Sequence, residues 1–227
     1  MKYGMVIDLR RCIGCDGCNI GCKNENNVPT GFFWAHHILE QEGEFPNYRY
    51  RYIPTLCNHC SNAPCVDVCP VEPKAIFKLP NGITMNSQDR CIGCRACEFA
   101  CPYDVISYNP QGQEVHVDWQ RDEARELVEK VGGNTVPWYN PDAGNTWAAI
   151  REPHKVEKCS FCHHRVEVGE QPWCVEVCPA TARFFGDLED PAGEVSKLLT
   201  ENEHFVLQPE AGPDPQVYYI NDFDQKS

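Results

Sequence analysis

Cys91-Ile92-Gly93-Cys94-Arg95-Ala96-Cys97-Glu98-Phe99-Ala100-Cys101-Pro102 is the stretch from which the rest of the chain can be read. Three cysteines stand two residues apart, a fourth follows after three more, and proline comes next. This is the ligand spacing of a [4Fe–4S] cubane, in which three thiolates on one short loop grip three irons. The fourth cysteine lies a helical turn further on, faces away and reaches a different cluster. Proline then ends that turn. Outward from this run, the chain carries four variants of it, and they contain all 16 cysteines among its 227 residues.

Group one is Cys12, Cys15, Cys18 and Cys22, with Gly14, Gly17 and Gly21 between the ligands. Glycines at this density let tight turns bring backbone N–H groups close to sulfur. Group two is Cys57, Cys60, Cys65 and Cys69, followed by Pro70, with a wider middle gap. His59 lies inside its first pair. A histidine ligand of Rieske type would replace a cysteine, and no cysteine is missing, so His59 is not expected to be a ligand. Group three is Cys91, Cys94, Cys97 and Cys101. Group four is Cys159, Cys162, Cys174 and Cys178, followed by Pro179, and its long gap holds His163, His164 and Arg165. Lys155, Lys158 and Arg165 flank it as positive charge that would favour the reduced state, or as ordinary solvated residues.

Two other chemistries use many cysteines. Sixteen in 227 residues fall just short of the roughly 8–10% that marks a disulfide scaffold. Disulfide frameworks do not repeat Cx2C four times with a third and fourth cysteine in step. Zinc sites close with four ligands from two pairs and leave the third and fourth cysteine of each group unexplained. The formal net charge is −13 before any cluster is counted, which disfavours nucleic acid as a partner. Acidic residues concentrate in 118–129 and 187–203 as solvated faces.

Strand Tyr3–Leu9 leads into group one, much as strand Ile83–Asn86 leads into group three. Arg11-Cys12-Ile13-Gly14-Cys15 and Arg90-Cys91-Ile92-Gly93-Cys94 match letter for letter. A hairpin is expected at Pro80-Asn81-Gly82. Residues 23–56 read as a linker rich in aromatics, which form core or shield clusters from water. His36 and His37 read as surface or hydrogen-bonded residues. Asp118–Val131 reads as an amphipathic helix stopped by Gly132-Gly133. Asn134–Asn145 is turn-rich and reads as a surface loop. This cysteine-free insertion is a candidate partner surface or mere decoration. A helix over Pro191–Thr200 is expected, with Asp190 as N-cap and Pro191 at N1, then strands Phe205–Leu207 and Val217–Ile220.

The fold class expected is α+β. Because fourth cysteines cross over, the groups must pair, and the repeat pairs two with three and one with four. This gives two pseudo-symmetric lobes like bacterial two-[4Fe–4S] ferredoxins, with an insertion and a C-terminal extension. The boundaries are 1–56 plus 153–190 for one lobe, 57–110 for the other, 111–152 for the insertion and 191–227 for the extension. No coordination position is left open, and there is no P-loop, dinucleotide fingerprint or Ser-His-Asp pattern. No catalytic residue is assigned, and the chain reads as a wire for electrons.

The ordered set of four groups, with Gly4–Leu9, Tyr52–Cys60, Cys101–Tyr108 and Gly186–Pro191, resembles the electron-transfer subunits of the dimethyl sulfoxide reductase superfamily of molybdopterin oxidoreductases. Within it the chain is most similar to the small subunits of respiratory arsenate reductase and its arsenite-oxidising relatives, with polysulfide, thiosulfate and tetrathionate reductase subunits alike as well. The resemblance implies the ligand sets. Cys12, Cys15 and Cys18 are completed by Cys178; Cys159, Cys162 and Cys174 by Cys22. Cys57, Cys60 and Cys65 take Cys101; Cys91, Cys94 and Cys97 take Cys69. Some relatives replace a group-three cysteine and carry a [3Fe–4S] centre, whereas this chain keeps all three, so four [4Fe–4S] clusters are expected. The implied partners are a large molybdopterin catalytic subunit on the group-one side and a quinol- or cytochrome-linked partner on the group-two/three side. A free-standing cytoplasmic polyferredoxin is the competing class, and the electron-transfer chain of a formate dehydrogenase is a third. The N-terminus has no apolar signal region, and no run of about 18 apolar residues spans a membrane. Periplasmic location would then require export with a partner bearing a twin-arginine signal.

Overall fold

The computed structural model describes residues 1–26, 28, 31–110, 122–133 and 153–222. Its framework is a mixed sheet built on the most continuously apolar segment. In β1 (Tyr3–Asp8), Met5, Val6 and Ile7 are all fully buried. A strand covered on both faces reads as an apolar run rather than an alternation. β1 indeed lies inside the sheet, between β8 (Arg183–Asp187), antiparallel, and β10 (Val217–Ile220), parallel, with β9 (His204–Phe205) at the edge. Met5 and Ile7 join the main core. Val6 turns to a smaller cluster with Phe184, Val195 and Ile220, covered by α7 (Glu194–Glu201).

α7 starts later than the sequence suggests, with Gly193 rather than Asp190 at its N-cap. Asp190 forms a local turn instead: its Oδ1 accepts the Ala192 N–H at 3.0 Å and its carbonyl accepts that of Gly193 at 3.0 Å. Such a turn competes with helix initiation. β9 is also shorter than expected, ending at Phe205.

Residues 23–56 are not a linker. α1 (Gly17–Glu25) runs into the segment, and β2 (Ala35–Glu42) pairs antiparallel with β3 (Arg49–Leu56) from Ala35↔Leu56 to Glu42↔Arg49. Both strands of a two-stranded sheet are edges, which tolerates Pro54 and the many charged residues. Its aromatics divide. Trp34 is in the core and donates its indole N–H to Glu157 at 3.1 Å, whereas Phe33, Tyr48 and Tyr50 are exposed.

The expected hairpin forms between β4 (Ile76–Lys78) and β5 (Thr84–Asn86). β6 (Ile106–Asn109) pairs antiparallel with β7 (Lys155–Lys158), so the insertion returns to where it left. Within the insertion, α4 (Asp122–Lys130) is closed by Gly132 at φ 80 and by the Gly133 N–H on the Val128 carbonyl. Of its apolar positions Val128 is buried, while Leu127 and Val131 are exposed. Residues 118–121 of the expected helix and the loop Asn134–Asn145 lie outside the described residues.

The whole is α+β, and one continuous core runs through Ile7, Leu56, Ile76, Val105, Phe161 and Tyr219. The sheet crosses the boundary expected at 190/191, because the C-terminal segment supplies β10 beside β1. That segment also ties to group two: the Ser61 N–H donates to the Asp214 carbonyl and the Gln216 N–H to the Asn58 carbonyl, both at 2.8 Å.

Candidate metal centres

The first Cx2C pair of each group is a tight loop, and in all four the residue before its second cysteine has positive φ. These are Gly14 (65°), His59 (45°), Gly93 (71°) and Phe161 (53°). Glycine adopts this conformation freely, whereas a bulky side chain there is an outlier that its surroundings must hold. His59 and Phe161 hold each other. Their rings stack at 3.7 Å, both side chains are buried, and the Thr84 N–H donates to His59 Nδ1 at 2.9 Å. Accepting there places the His59 proton on Nε2.

The folding of these loops leaves three small cavities lined by cysteines. One is ringed by Cys12, Cys15, Cys18 and Cys178. The second is lined by five cysteines, Cys18, Cys22, Cys159, Cys162 and Cys174. The third is ringed by Cys57, Cys60, Cys65 and Cys101. For the remaining cysteines, Cys91 and Cys94 lie beside Cys97. α2 (Pro64–Asp67), just ahead of Cys69, packs against α3 (Ala96–Ala100), which carries Cys97. None of the 16 cysteines is in a disulfide.

The electrostatics fit a polynuclear cation. Burial first, and neighbouring thiols second, push Cys60 and Cys97 up to about 12, and burial drives Cys22 and Cys159 well above the usual thiol range. For Cys60 the neighbours are Cys57, Cys65 and Cys101; for Cys22 they are Cys162, Cys159 and Cys174. Sulfurs that discourage one another's ionisation become thiolates when metal charge sits among them. Donors already point at sulfur: Gly93 N–H to Cys91 (3.4 Å), Phe161 N–H to Cys159 (3.4 Å), Ala182 N–H to Cys178 (3.3 Å) and the Asn26 amide to Cys22 and Cys162 (3.6 Å each). Such bonds stabilise ligated sulfur and tune a cluster's potential. At Cys69, burial opposes ionisation, but N–H groups of Ile76, Val71 and Ala75 outweigh it and lower the thiol.

Exposure grades the groups. Cys15 and Cys94 are exposed, whereas the paired cysteines of groups two and four, Cys57, Cys60, Cys159 and Cys162, are buried. Groups one and three therefore open to solvent, and groups two and four are internal.

Several residues do more than the sequence suggests. Lys158 is fully buried rather than solvated, and donates to the Thr84 carbonyl and, at 2.8 Å, to that of Cys159. Lys78 clamps the carbonyls of His59 (3.3 Å), Cys60 (2.6 Å) and Gly82 (3.0 Å), and Lys155 that of Cys91 (2.6 Å). Arg183 is buried and donates to Cys18 Sγ at 3.3 Å. His164 fastens α5 (His163–Val166) to α1 through buried Glu25 at 2.8 Å, and Arg165 stacks on Trp173 of α6 (Trp173–Glu176). His37 is hydrogen-bonded, as expected, to Asp16 at 2.6 Å. Only a lysine or arginine beside the cysteine runs could have hinted at the clamps; nothing local marks Arg183 or the His59–Phe161 stack.

Two family models match, one described as a 4Fe-4S dicluster domain over residues 48–123 and another 4Fe-4S dicluster domain over residues 90–182. The iron-sulfur subunit of arsenate respiratory reductase from Shewanella sp. (strain ANA-3) is 46% identical, covering 100% of this chain and 99% of that protein. A putative dimethyl sulfoxide reductase iron-sulfur subunit from Halobacterium salinarum is 42% identical, over 97% of this chain and 79% of that one. A tetrathionate reductase subunit from Salmonella typhimurium is 35% identical, over 96% and 72%. The chain carries four [4Fe–4S] clusters, and the matched spans contain twelve of its sixteen cysteines. The chain belongs to the four-cluster iron–sulfur electron-transfer subunits of the dimethyl sulfoxide reductase superfamily of molybdopterin oxidoreductases.

Proposed function

We propose that the chain is the electron-transfer subunit of an arsenate-reducing or arsenite-oxidising enzyme of this superfamily. The observation that carries the substrate is its match to an arsenate respiratory reductase subunit along essentially the full length of both chains. The ligand sets are Cys12, Cys15, Cys18 and Cys178; Cys22, Cys159, Cys162 and Cys174; Cys57, Cys60, Cys65 and Cys101; and Cys69, Cys91, Cys94 and Cys97. The three cysteine-ringed cavities support the first three sets. Two pseudo-symmetric ferredoxin-like lobes follow from that crossover.

Electrons pass in the order group one, four, two, three or its reverse. Cys18 borders the cavities of groups one and four, Cys57 neighbours Cys159, and Cys65 neighbours Cys97. The two groups that open to solvent are then the two ends. The group-one end meets the molybdopterin subunit, and the group-three end a quinol- or cytochrome-linked partner. The pair works in the periplasm, carried there by a twin-arginine signal on the catalytic subunit. Among the described residues no helix is long and apolar enough to cross a membrane.

The test is to tag this chain in its native host, purify it anaerobically and assay what comes with it. A large molybdenum protein with arsenate reductase or arsenite oxidase activity is expected, with about 16 irons on this subunit. A partner acting on tetrathionate or polysulfide would move the substrate assignment. A chain that purifies alone from the cytoplasm would replace the proposal with a polyferredoxin. Deleting the catalytic partner's leader should strand both chains in the cytoplasm.

A further inference from the structure

Arg183, the first residue of β8, lies between two of the cysteine-ringed cavities and lines both. It is 2% exposed. Its Nη2 donates to Cys18 Sγ at 3.3 Å, and Nη1 rests on Met5 Sδ at 3.7 Å. The charges that act on it most are those of Cys174, on the group-four side, and of Cys18, with Cys12 also contributing from group one. Among the described residues no carboxylate forms an ion pair with it. A buried guanidinium without an anion is strongly unfavourable, and arginine remains charged at any working pH. The anions in reach are thiolates of two different sets.

We propose that Arg183 is a counter-ion shared by the group-one and group-four clusters. One fixed positive charge between them favours the reduced state of each. Because it lies beside both, it raises the two potentials together, so the step between them changes little. By contrast, Lys78 and Lys158 donate to backbone carbonyls of the cysteine loops of groups two and four. The inference rests on the ligand sets proposed above.

The experiment is an EPR-monitored redox titration of the complex purified with its catalytic partner, for the wild type, Arg183→Gln and Arg183→Lys. Arg183→Gln is expected to lower two midpoints and leave two unmoved. At fixed ambient potential, the reduced-to-oxidised ratio of each affected cluster should fall about tenfold, about 59 mV for one electron. Arg183→Lys, which keeps the charge, should hold both near wild type. One cluster moving, none moving, or Gln and Lys moving the midpoints alike would overturn the proposal. Should Arg183→Gln lose iron, Arg183→Lys decides: full iron with both midpoints held supports shared charge, and equal iron loss assigns Arg183 a packing role instead. Cys22→Ser marks the group-four cluster by its altered spectrum. If Arg183→Gln moves two clusters and neither is the marked one, the ligand sets fail while shared charge stands.

Discussion

Residues 11–15 and 90–94 are the same five letters in two settings, and the structure separates what the letters encode from what the setting adds. Both glycines have positive φ, 65° at Gly14 and 71° at Gly93. Both isoleucines are 65% exposed. In both, the residue after the second cysteine is left-handed and precedes a helix bearing the third: Asp16 (59°) before α1, Arg95 (63°) before α3. Each leading arginine lies over a phenylalanine, Arg11 on Phe184 at 5.5 Å and Arg90 on Phe77 at 5.2 Å. The settings then diverge. Gly14 faces the Tyr52 ring, while Gly93 faces the His154 carbonyl. Asp16 pairs with His37; Arg95 pairs with Glu98 and covers Phe99 and Tyr108. The pentapeptide encodes a cluster loop, and the neighbours decide what that loop presents to a partner.

The largest effect is expected where the loops differ in what blocks a methyl group. An added Cβ at Gly93 would stand 2.1 Å from the His154 carbonyl oxygen, against 2.7 Å from the Tyr52 ring at Gly14. Both alanine variants carry the left-handed penalty, about 1–2 kcal/mol. Backbone cannot yield as a ring can, so Gly93→Ala should lose the group-three cluster, about four irons per chain. Gly14→Ala should keep most of its iron and melt lower. Iron analysis and thermal unfolding read both, and greater loss from Gly14→Ala would break the comparison.

Next come the two rims. Ile20 and Phe99 stand two residues after the third cysteine of their groups and are 60% and 80% exposed. With the ends oriented as proposed, Ile20→Asp should cut co-purification with the molybdenum subunit several-fold, since truncating a central apolar contact typically costs at least 1–2 kcal/mol. Phe99→Asp should leave that complex whole and slow electron exchange with the other partner. The opposite pattern would reverse the wire.

Smaller still are the arginine–phenylalanine contacts. Arg11→Ala and Arg90→Ala each remove a cation–π contact of about 0.5–1 kcal/mol. Chemical denaturation of the assembled protein should give similar losses, because each arginine also gives up a 3.3 Å bond to a carbonyl, Arg11 to Thr181 and Arg90 to Lys74.

The smallest contrast is in pH. Burial lowers the His37 pKa although Asp16 opposes it. The unfolded chain then binds more protons below the usual histidine value near 6.5, so stability falls as pH drops through that value. His37→Gln should flatten this slope. The Arg95 side has a carboxylate partner, Glu98, and no histidine in the matching place.

The cysteine groups, the 80–82 hairpin and the first and last strands were legible because each depends on a few adjacent residues. The β2–β3 hairpin was not: with one face open and both strands at edges, its sequence has no clean alternation. Lys158 reads as solvated because a lysine at the end of a strand usually is, and only the fold brings the Thr84 carbonyl to its ammonium. Nothing local singles out Arg183, because its meaning depends on Cys18, far earlier in the chain, lying against it. Short-range spacing specifies a metal loop, whereas the charge around it is set by contacts of long sequence separation.

The His59–Phe161 stack imposes an order of events. A ribosome delivers group two long before group four, so until then His59 has the Thr84 N–H and the Lys78 ammonium but no ring to stack on. Until Phe161 arrives, the Cys57–Cys60 loop can relax and its hole for a cluster closes up. Group two thus becomes a competent receiver of iron and sulfide only once synthesis has passed group four. The cell's cluster-loading machinery would then meet these two loops as one substrate, late, rather than as successive ones. A truncated chain ending before residue 153 should accordingly fail to hold the group-two cluster, even though it contains every cysteine of groups two and three.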